Sequence, residues 1–353
     1  MRFMRQYQQG GDRLNVGIIG CGGIAVRRHL PVCASYEGVT LYAVCDPVRE
    51  NADRAAQQYG GKAYYDPEAF FACRELDAVI VCTPERFHKD NVISALRAGK
   101  HVLWEKPMSM TQDEALEMYR VWKETDRMLM IAFNMRISKV HVLTKQLLKD
   151  GAIGKPIAYR TNLAHAGSES AMISGAAPDF YDRHLRNMGG VMLNVGSHRV
   201  DLMDYLFDSP IREVFAETPA IDKKYADGRL IDAEDHAFVI ARHENGLEGT
   251  LWISWCNYGP MERQTVIYGT EGVLKTYEGK GIVVCKKDGT REEYDTSTEH
   301  DEFLDITVTY LDALCGKGTI AADGADGLRC MSALDAILRS GRERRWIEVP
   351  ELG

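Results

Sequence analysis

Several groups of residues in this chain have types and spacings that suit chemistry. Gly20-Cys21-Gly22-Gly23-Ile24-Ala25 follows an apolar run and fits G-x-G-x-x-A. In such a turn the first glycine permits the tight bend. Gly22 lets a pyrophosphate approach the backbone, and Ala25 is small enough for close helix–strand packing. The helix that opens here offers unpaired N–H groups to phosphates. A glycine-rich turn without a ligand fits the motif alone. The context favours a dinucleotide: a strand before, a helix after, and an acid, Asp46, ending the second strand. A carboxylate at 46 accepts hydrogen bonds from both ribose hydroxyls of NAD and repels the 2′-phosphate of NADP, so NAD is expected over NADP. Asp46 can also cap the helix behind Pro47, and Arg49 is close enough in sequence to blur the preference.

Two further segments end strands. Thr83-Pro84 closes the fourth strand and Glu105-Lys106-Pro107 the fifth. In a doubly wound sheet the ligand lies at the carboxyl ends of the strands. A lysine in that partly desolvated place can polarise an oxygen or help move a proton. A surface ion pair between Glu105 and Lys106 explains the pair equally well. Asn194, His198 and Asp201 are spaced i, i+4, i+7 behind Gly189-Gly190 and share one helical face. That stripe suits a solvated or capping face, an acid/base site, or a zinc site. With no His-x-x-x-His, a metal is not expected. Arg183, His184 and Arg186 can reach substrate oxygens or a carboxylate, or stand as solvated loop charges.

The elements that must position these residues follow from hydrophobic periodicity. Residues 14–19, 41–45, 78–82, 102–104 and 128–133 read as strands. They alternate with helices over 24–36, 47–59, 87–99 and 111–126. This predicts an α/β fold with a parallel sheet, an N-terminal Rossmann domain over 14–134 behind a polar tail, 1–13. From 135 to 353 the pattern changes to an α+β domain on an open, mainly antiparallel sheet. A helix over 136–150 leads to a strand at 156–164, a Ser/Gly/Asp-rich loop and a helix over 190–207. Strands at 211–217, 235–243, 248–256, 263–269 and 282–286 follow, with hairpin signals at Asn245-Gly246 and Asp288-Gly289. Helices at 299–315 and 324–340 and a strand at 346–349 close the chain.

Composition narrows the partners. At 353 residues there is room for two domains. With 43 Lys+Arg against 51 Asp+Glu the net charge is −8, which speaks against a nucleic-acid partner. No run approaches ~18 apolar residues, so no membrane span is expected. The N-terminus lacks the apolar core of a secretory signal. Nine scattered cysteines without C-x-x-C read as reduced thiols of a cytoplasmic protein.

Taken together, the segments resemble the glucose–fructose oxidoreductase/inositol dehydrogenase (Gfo/Idh/MocA) family. The resemblance rests on Val16 to Ala25, Thr83-Pro84 with His88, Gly99 to Pro107 (GKHVLWEKP), Ala132 to Arg136 (AFNMR) and Gly151 to Gly154. It rests further on Gly189 to Asp201, Ile267 to Gly272, Asp326-Gly-Leu and Ala336 to Ser340. It implies NAD contacts at Gly20, Gly22, Gly23, Ile24, Asp46, Thr83, Pro84, His88, Glu105, Lys106 and Asn134. It implies a cleft between the domains for a sugar, sugar acid or cyclitol, met by Lys106, Arg136, Arg183, Asn194 and His198. A hydride would pass between nicotinamide and a secondary alcohol or ketone. His198 would serve as base, Lys106 as hydrogen-bond donor to the reacting oxygen, and Asn194 as orienting group. Many relatives carry Asp at position 194; Asn adds no negative charge there. The resemblance further implies a homodimer or homotetramer formed through the C-terminal sheet. A non-catalytic NAD(H) sensor and an NAD-using glycosidase are the alternatives on the same fold.

Overall fold

The computed structural model describes residues 13–167, 189–297 and 305–351. They form two compact units. The first holds six parallel strands: β1 (Leu14–Ile19), β2 (Val39–Cys45), β3 (Lys62–Tyr64), β4 (Ala78–Val81), β5 (His101–Trp104) and β6 (Leu129–Ile131), in the order β3-β2-β1-β4-β5-β6. All of β4, Ala-Val-Ile-Val, is buried, as a strand covered on both faces must be. The strand β3 escaped the periodicity, being three half-exposed residues at the sheet edge. The order reverses between β1 and β4. This opens a crevice at the carboxyl ends where the glycine loop and Thr83 lie.

The segment expected as one helix over 24–36 has two parts. Ala25–His29 is a π turn that runs directly into the α-helical Leu30–Ser35, and Pro31, which has no N–H to donate, stands just behind the wider turn. The wider turn carries Arg28 and His29 inward, and both are buried.

The expectation of a single domain over 135–353 is corrected by residues 305–328, which belong to the first unit. There the Thr307 hydroxyl meets His29 Nδ1 at 2.9 Å and Tyr36 donates to Asp312. The Ala322 carbonyl accepts from the N–H of Ile131, extending the edge of β6. Ile306, Tyr310 and Leu311 of helix Asp305–Leu314 are buried. An apolar helical face announces that it must be covered, but not by which unit.

The second unit is built on nine strands: β7 (Pro156–Ala164), β8 (Ile211–Glu217), β9 (His236–His243), β10 (Glu248–Ser254), β11 (Glu262–Gly269), β12 (Gly272–Tyr277), β13 (Gly281–Lys286), β14 (Arg291–Asp295) and β15 (Ile347–Glu348). Their order is β14-β13-β12-β11-β7-β10-β9-β8-β15. Every pair is antiparallel except β7 with β10. Both hairpin signals join neighbouring strands, β9 to β10 and β13 to β14. The unforeseen strands β12 and β14 are short and carry charges. Along β9 buried and exposed residues alternate strictly. Helices Lys139–Lys149 and Ser197–Phe207 lie against the sheet, while Phe238 and Ile240 stand on its open face, 57% and 42% exposed.

Candidate active site

In the first unit the glycine loop divides the work among its glycines. Gly20 has φ +89°, and a Cβ there would lie 2.6 Å from the Cys82 carbonyl, so β1 and β4 approach closely only with glycine. Gly22 and Gly23 are exposed and have nothing within 4 Å of an added Cβ. That open surface, beside helix-start amides lacking an intrahelical acceptor, fits a pyrophosphate. Asp46 is buried. Its Oδ2 accepts from the N–H of Cys21 and its Oδ1 from Val48, both at 2.9 Å. The carboxylate therefore braces the loop and the following turn together, and each oxygen retains lone-pair capacity for a ribose hydroxyl. Arg49 stacks over the ring of Tyr65, 4.0 Å from its centroid.

Two expected cofactor contacts are turned inward. The ring nitrogens of buried His88 lie 2.8 Å from the Pro107 carbonyl and 2.9 Å from that of Thr83. His88 thus ties the ends of β4 and β5 together instead of facing the crevice. Glu105 is likewise buried, with Oε1 2.6 Å from Arg28 Nη1 and 3.1 Å from His29 Nε2. Burial by itself would raise the Glu105 pKa. The His29 hydrogen bond and the Arg28 charge outweigh it and hold the group at about 2. Burial also lowers the His29 pKa, against the pull of Glu105. The surface Glu105–Lys106 pair is thereby replaced by a buried anchor next to a half-buried lysine. Burial pushes the Lys106 pKa below its ordinary value, the charges of Glu105 and Glu85 opposing. At the end of β6, the Oδ1 of Asn134 is buried and accepts no hydrogen bond among the described residues.

In the second unit, Gly190 is required by Glu234. An added Cβ would sit 2.2 Å from that carboxylate, whose Oε1 accepts from the N–H of Met192 at 2.9 Å. Burial raises the Glu234 pKa, and the Met192 hydrogen bond opposes this. From this brace a π turn, Met192–Gly196, runs into helix Ser197–Phe207. Asn194 lies in the π turn and His198 one turn on, both half-buried. The expected stripe then splits, because Asp201 is buried. Arg136 donates to it from Nη2 (2.7 Å) and from Nε (3.0 Å to Oδ2). Arg136, expected at substrate, is in place as the partner of Asp201. A second pair, buried Arg199 with Glu278, adds His141 Nε2 at 3.5 Å from Glu278 Oε1. Burial alone would raise the Glu278 pKa; the Arg199 charge and the neighbouring His141 hold it at about 2. Arg183, His184 and Arg186 lie outside the described residues, as do residues 1–12. Sequence reasoning missed Arg28, His29, Glu234, Arg199 and Glu278. For Arg28, His29 and Arg199 the available signal was charge inside a helical segment; Glu234 and Glu278 lie in loops beside β9 and β12 and carried no such signal.

A parallel sheet that reverses at its glycine loop, with an acid bracing that loop, defines a dinucleotide-binding Rossmann protein joined to an antiparallel-sheet domain. The chain belongs to the Gfo/Idh/MocA oxidoreductase family. Residues 14–133 match its NAD-binding Rossmann fold and residues 141–275 a C-terminal domain of the same family, together more than two thirds of the chain. It is 26% identical to myo-inositol 2-dehydrogenase of Thermotoga maritima over 96% of this chain and 99% of that one. It is 25% identical to D-apiose dehydrogenase of Paraburkholderia graminis, over 96% and 91% of the two chains. Its fold is that of levoglucosan dehydrogenase solved with NADH and L-sorbose: TM-score 0.85 at 21% identity, covering 97% of this chain and 100% of that one. The protein is an NAD-dependent oxidoreductase. Among the described residues no helix is long and apolar enough to cross a membrane.

Proposed function

We propose that the chain interconverts a secondary alcohol and a ketone on a cyclitol, sugar or sugar acid. NAD, when bound, supplies the hydride acceptor. In this reading His198 takes the hydroxyl proton as general base. Lys106 donates from Nζ to the same oxygen and stabilises the charge that develops on it. Asn194 orients the substrate, since its amide both donates and accepts.

The observation that carries the reading is the setting of Lys106. It stands at the carboxyl end of β5, half-buried, beside a carboxylate already committed to Arg28 and His29. The inositol and apiose dehydrogenases among the relatives support the substrate class. The test is a panel of cyclitols, sugars and sugar acids, followed by nicotinamide absorbance with NAD and NADP. Net reduction of added NAD by one of them is expected. Ligand binding without any net reduction would sink the reading and favour a sensor or an NAD-using glycosidase.

The open face of the nine-stranded sheet supports a homodimer or homotetramer, with a second copy covering Phe238, Ile240 and the Trp252 ring stacked on Phe238. Sedimentation as a monomer at micromolar concentration would exclude it. Nine free cysteines support a cytoplasmic location.

A further inference from the structure

Apart from the residues assigned above, the second unit holds a cavity of about 400 Å³, within the ~300–1,000 Å³ of small-molecule sites. It opens where the end of helix Lys139–Lys149, the start of β7, the end of helix Ser197–Phe207 and the Asn245-Gly246 turn converge. Leu148, Ile157, Phe207 and Leu247 give it apolar walls. The Phe207 ring is fixed by its neighbours, 5.2 Å from Tyr159 and 5.6 Å from His243 between centroids.

The charge of this cavity runs against that of the chain. Lys145, Lys149 and Lys155 line it, opposed by Asp208 alone among its lining residues, in a protein of net charge −8. Lys145 is committed, its Nζ donating to Asp208 Oδ1 and to the Tyr205 carbonyl. Lys149 and Lys155 have no side-chain partner among the described residues. Their backbones are nevertheless fixed. Lys149 ends its helix, and the Lys155 N–H donates to Thr270 Oγ1 while its carbonyl accepts from the Thr270 N–H. Two uncommitted ammonium groups on fixed backbones at the rim of an apolar hollow suit a dianionic head on an apolar body.

We propose that this cavity binds a small phosphate monoester, its phosphate held by Lys149 and Lys155 and its apolar part against Ile157, Phe207 and Leu247. Lysine serves such a head as a point charge, so binding weakens as salt rises.

The test is calorimetric titration of the whole protein with phenyl phosphate at low ionic strength in a phosphate-free buffer. Saturable binding is expected. The double variant Lys149→Ala/Lys155→Ala should weaken it by at least about tenfold, the scale of two lost charge-assisted contacts. Inorganic phosphate should bind at least about tenfold more weakly than the ester, for want of the apolar contact. Ile157 is 55% exposed, so Ile157→Glu can fold and should abolish binding by repulsion. NAD affinity and the thermal midpoint should stay at wild-type values in all variants. Heats that do not saturate, equal affinity in the double variant, or inorganic phosphate binding as tightly as the ester would each overturn the proposal.

Discussion

His29 Nε2 lies 3.1 Å from Glu105 Oε1, and both side chains are buried. The contact joins the π turn behind the glycine loop to the strand end that carries Lys106, and Thr307 holds the other ring nitrogen. Its pH dependence has a definite sign. Glu105 is held at about 2 against an ordinary 4.5, so its stabilisation is full above ~4.5 and is lost as pH falls towards ~2. The His29 pKa is also lowered from 6.5. The unfolded chain therefore takes up that proton first, and stability declines as pH drops below ~6.5. The thermal midpoint should fall steadily from about pH 6 downwards. Glu105→Gln should cost about 3 kcal/mol at neutral pH by stranding Arg28, and should flatten the slope below pH ~4.5. An unchanged midpoint and slope in that variant would remove the buried pair from the account.

The glycines of the loop should separate by readout. Gly20→Ala forces a Cβ onto the Cys82 carbonyl at φ +89° and should unfold the first unit or lower its stability severely. Gly22→Ala meets nothing within 4 Å. It should leave the thermal midpoint near wild type while NAD affinity falls by about tenfold or more, since the methyl occupies the place of the pyrophosphate. Calorimetry and thermal unfolding on both variants decide the matter; undiminished NAD binding by Gly22→Ala would refute it.

Asp46→Ala should lower NAD affinity by about ten- to a hundredfold, the scale of hydrogen bonds to a charged group. It should also narrow the preference for NAD over NADP. Because Oδ2 also holds the N–H of Cys21, some stability goes with it. Direct titration of both nucleotides is the measurement, and tighter NADP than NAD binding by the unmodified protein would reverse the assignment.

Lys106→Ala should slow turnover by about a hundredfold or more while NAD affinity changes much less. The active form in the proposed reaction is the ammonium, and burial lowers the Lys106 pKa below 10.5. The rate should therefore fall on the alkaline side earlier than an ordinary lysine would allow. Lys106→Arg stays charged throughout, so whatever activity it keeps should lack that limb. A persistent alkaline limb in the arginine variant would assign it to another group.

His198→Asn tests the base. It retains hydrogen bonding without basicity, so oxidation should lose most of its rate and its acid-side pH dependence together. Wild-type rate and profile in this variant would leave His198 a positioning role and make Lys106 the proton acceptor.

The features legible in the sequence are local ones. The strand–helix alternation, the glycine loop, Asp46 at the end of β2 and the two hairpin turns all follow from short-range periodicity and turn chemistry. The same information could not pair groups distant along the chain. Arg28 and Glu105 are 77 residues apart, Arg136 and Asp201 65, Arg199 and Glu278 79, and His29 and Thr307 278. A carboxylate in E-K-P and an arginine beside a motif asparagine look available to a ligand until the fold shows what they already hold. Glu105, His88 and Arg136 turn inward because buried polar groups need partners within hydrogen-bond reach, and only tertiary structure supplies them. The sequence by itself determined the residue types of the dinucleotide loop and of the helix that carries Asn194 and His198. Tertiary packing decided which charges are spent on holding those elements in place, because desolvation and pairing depend on neighbours in space.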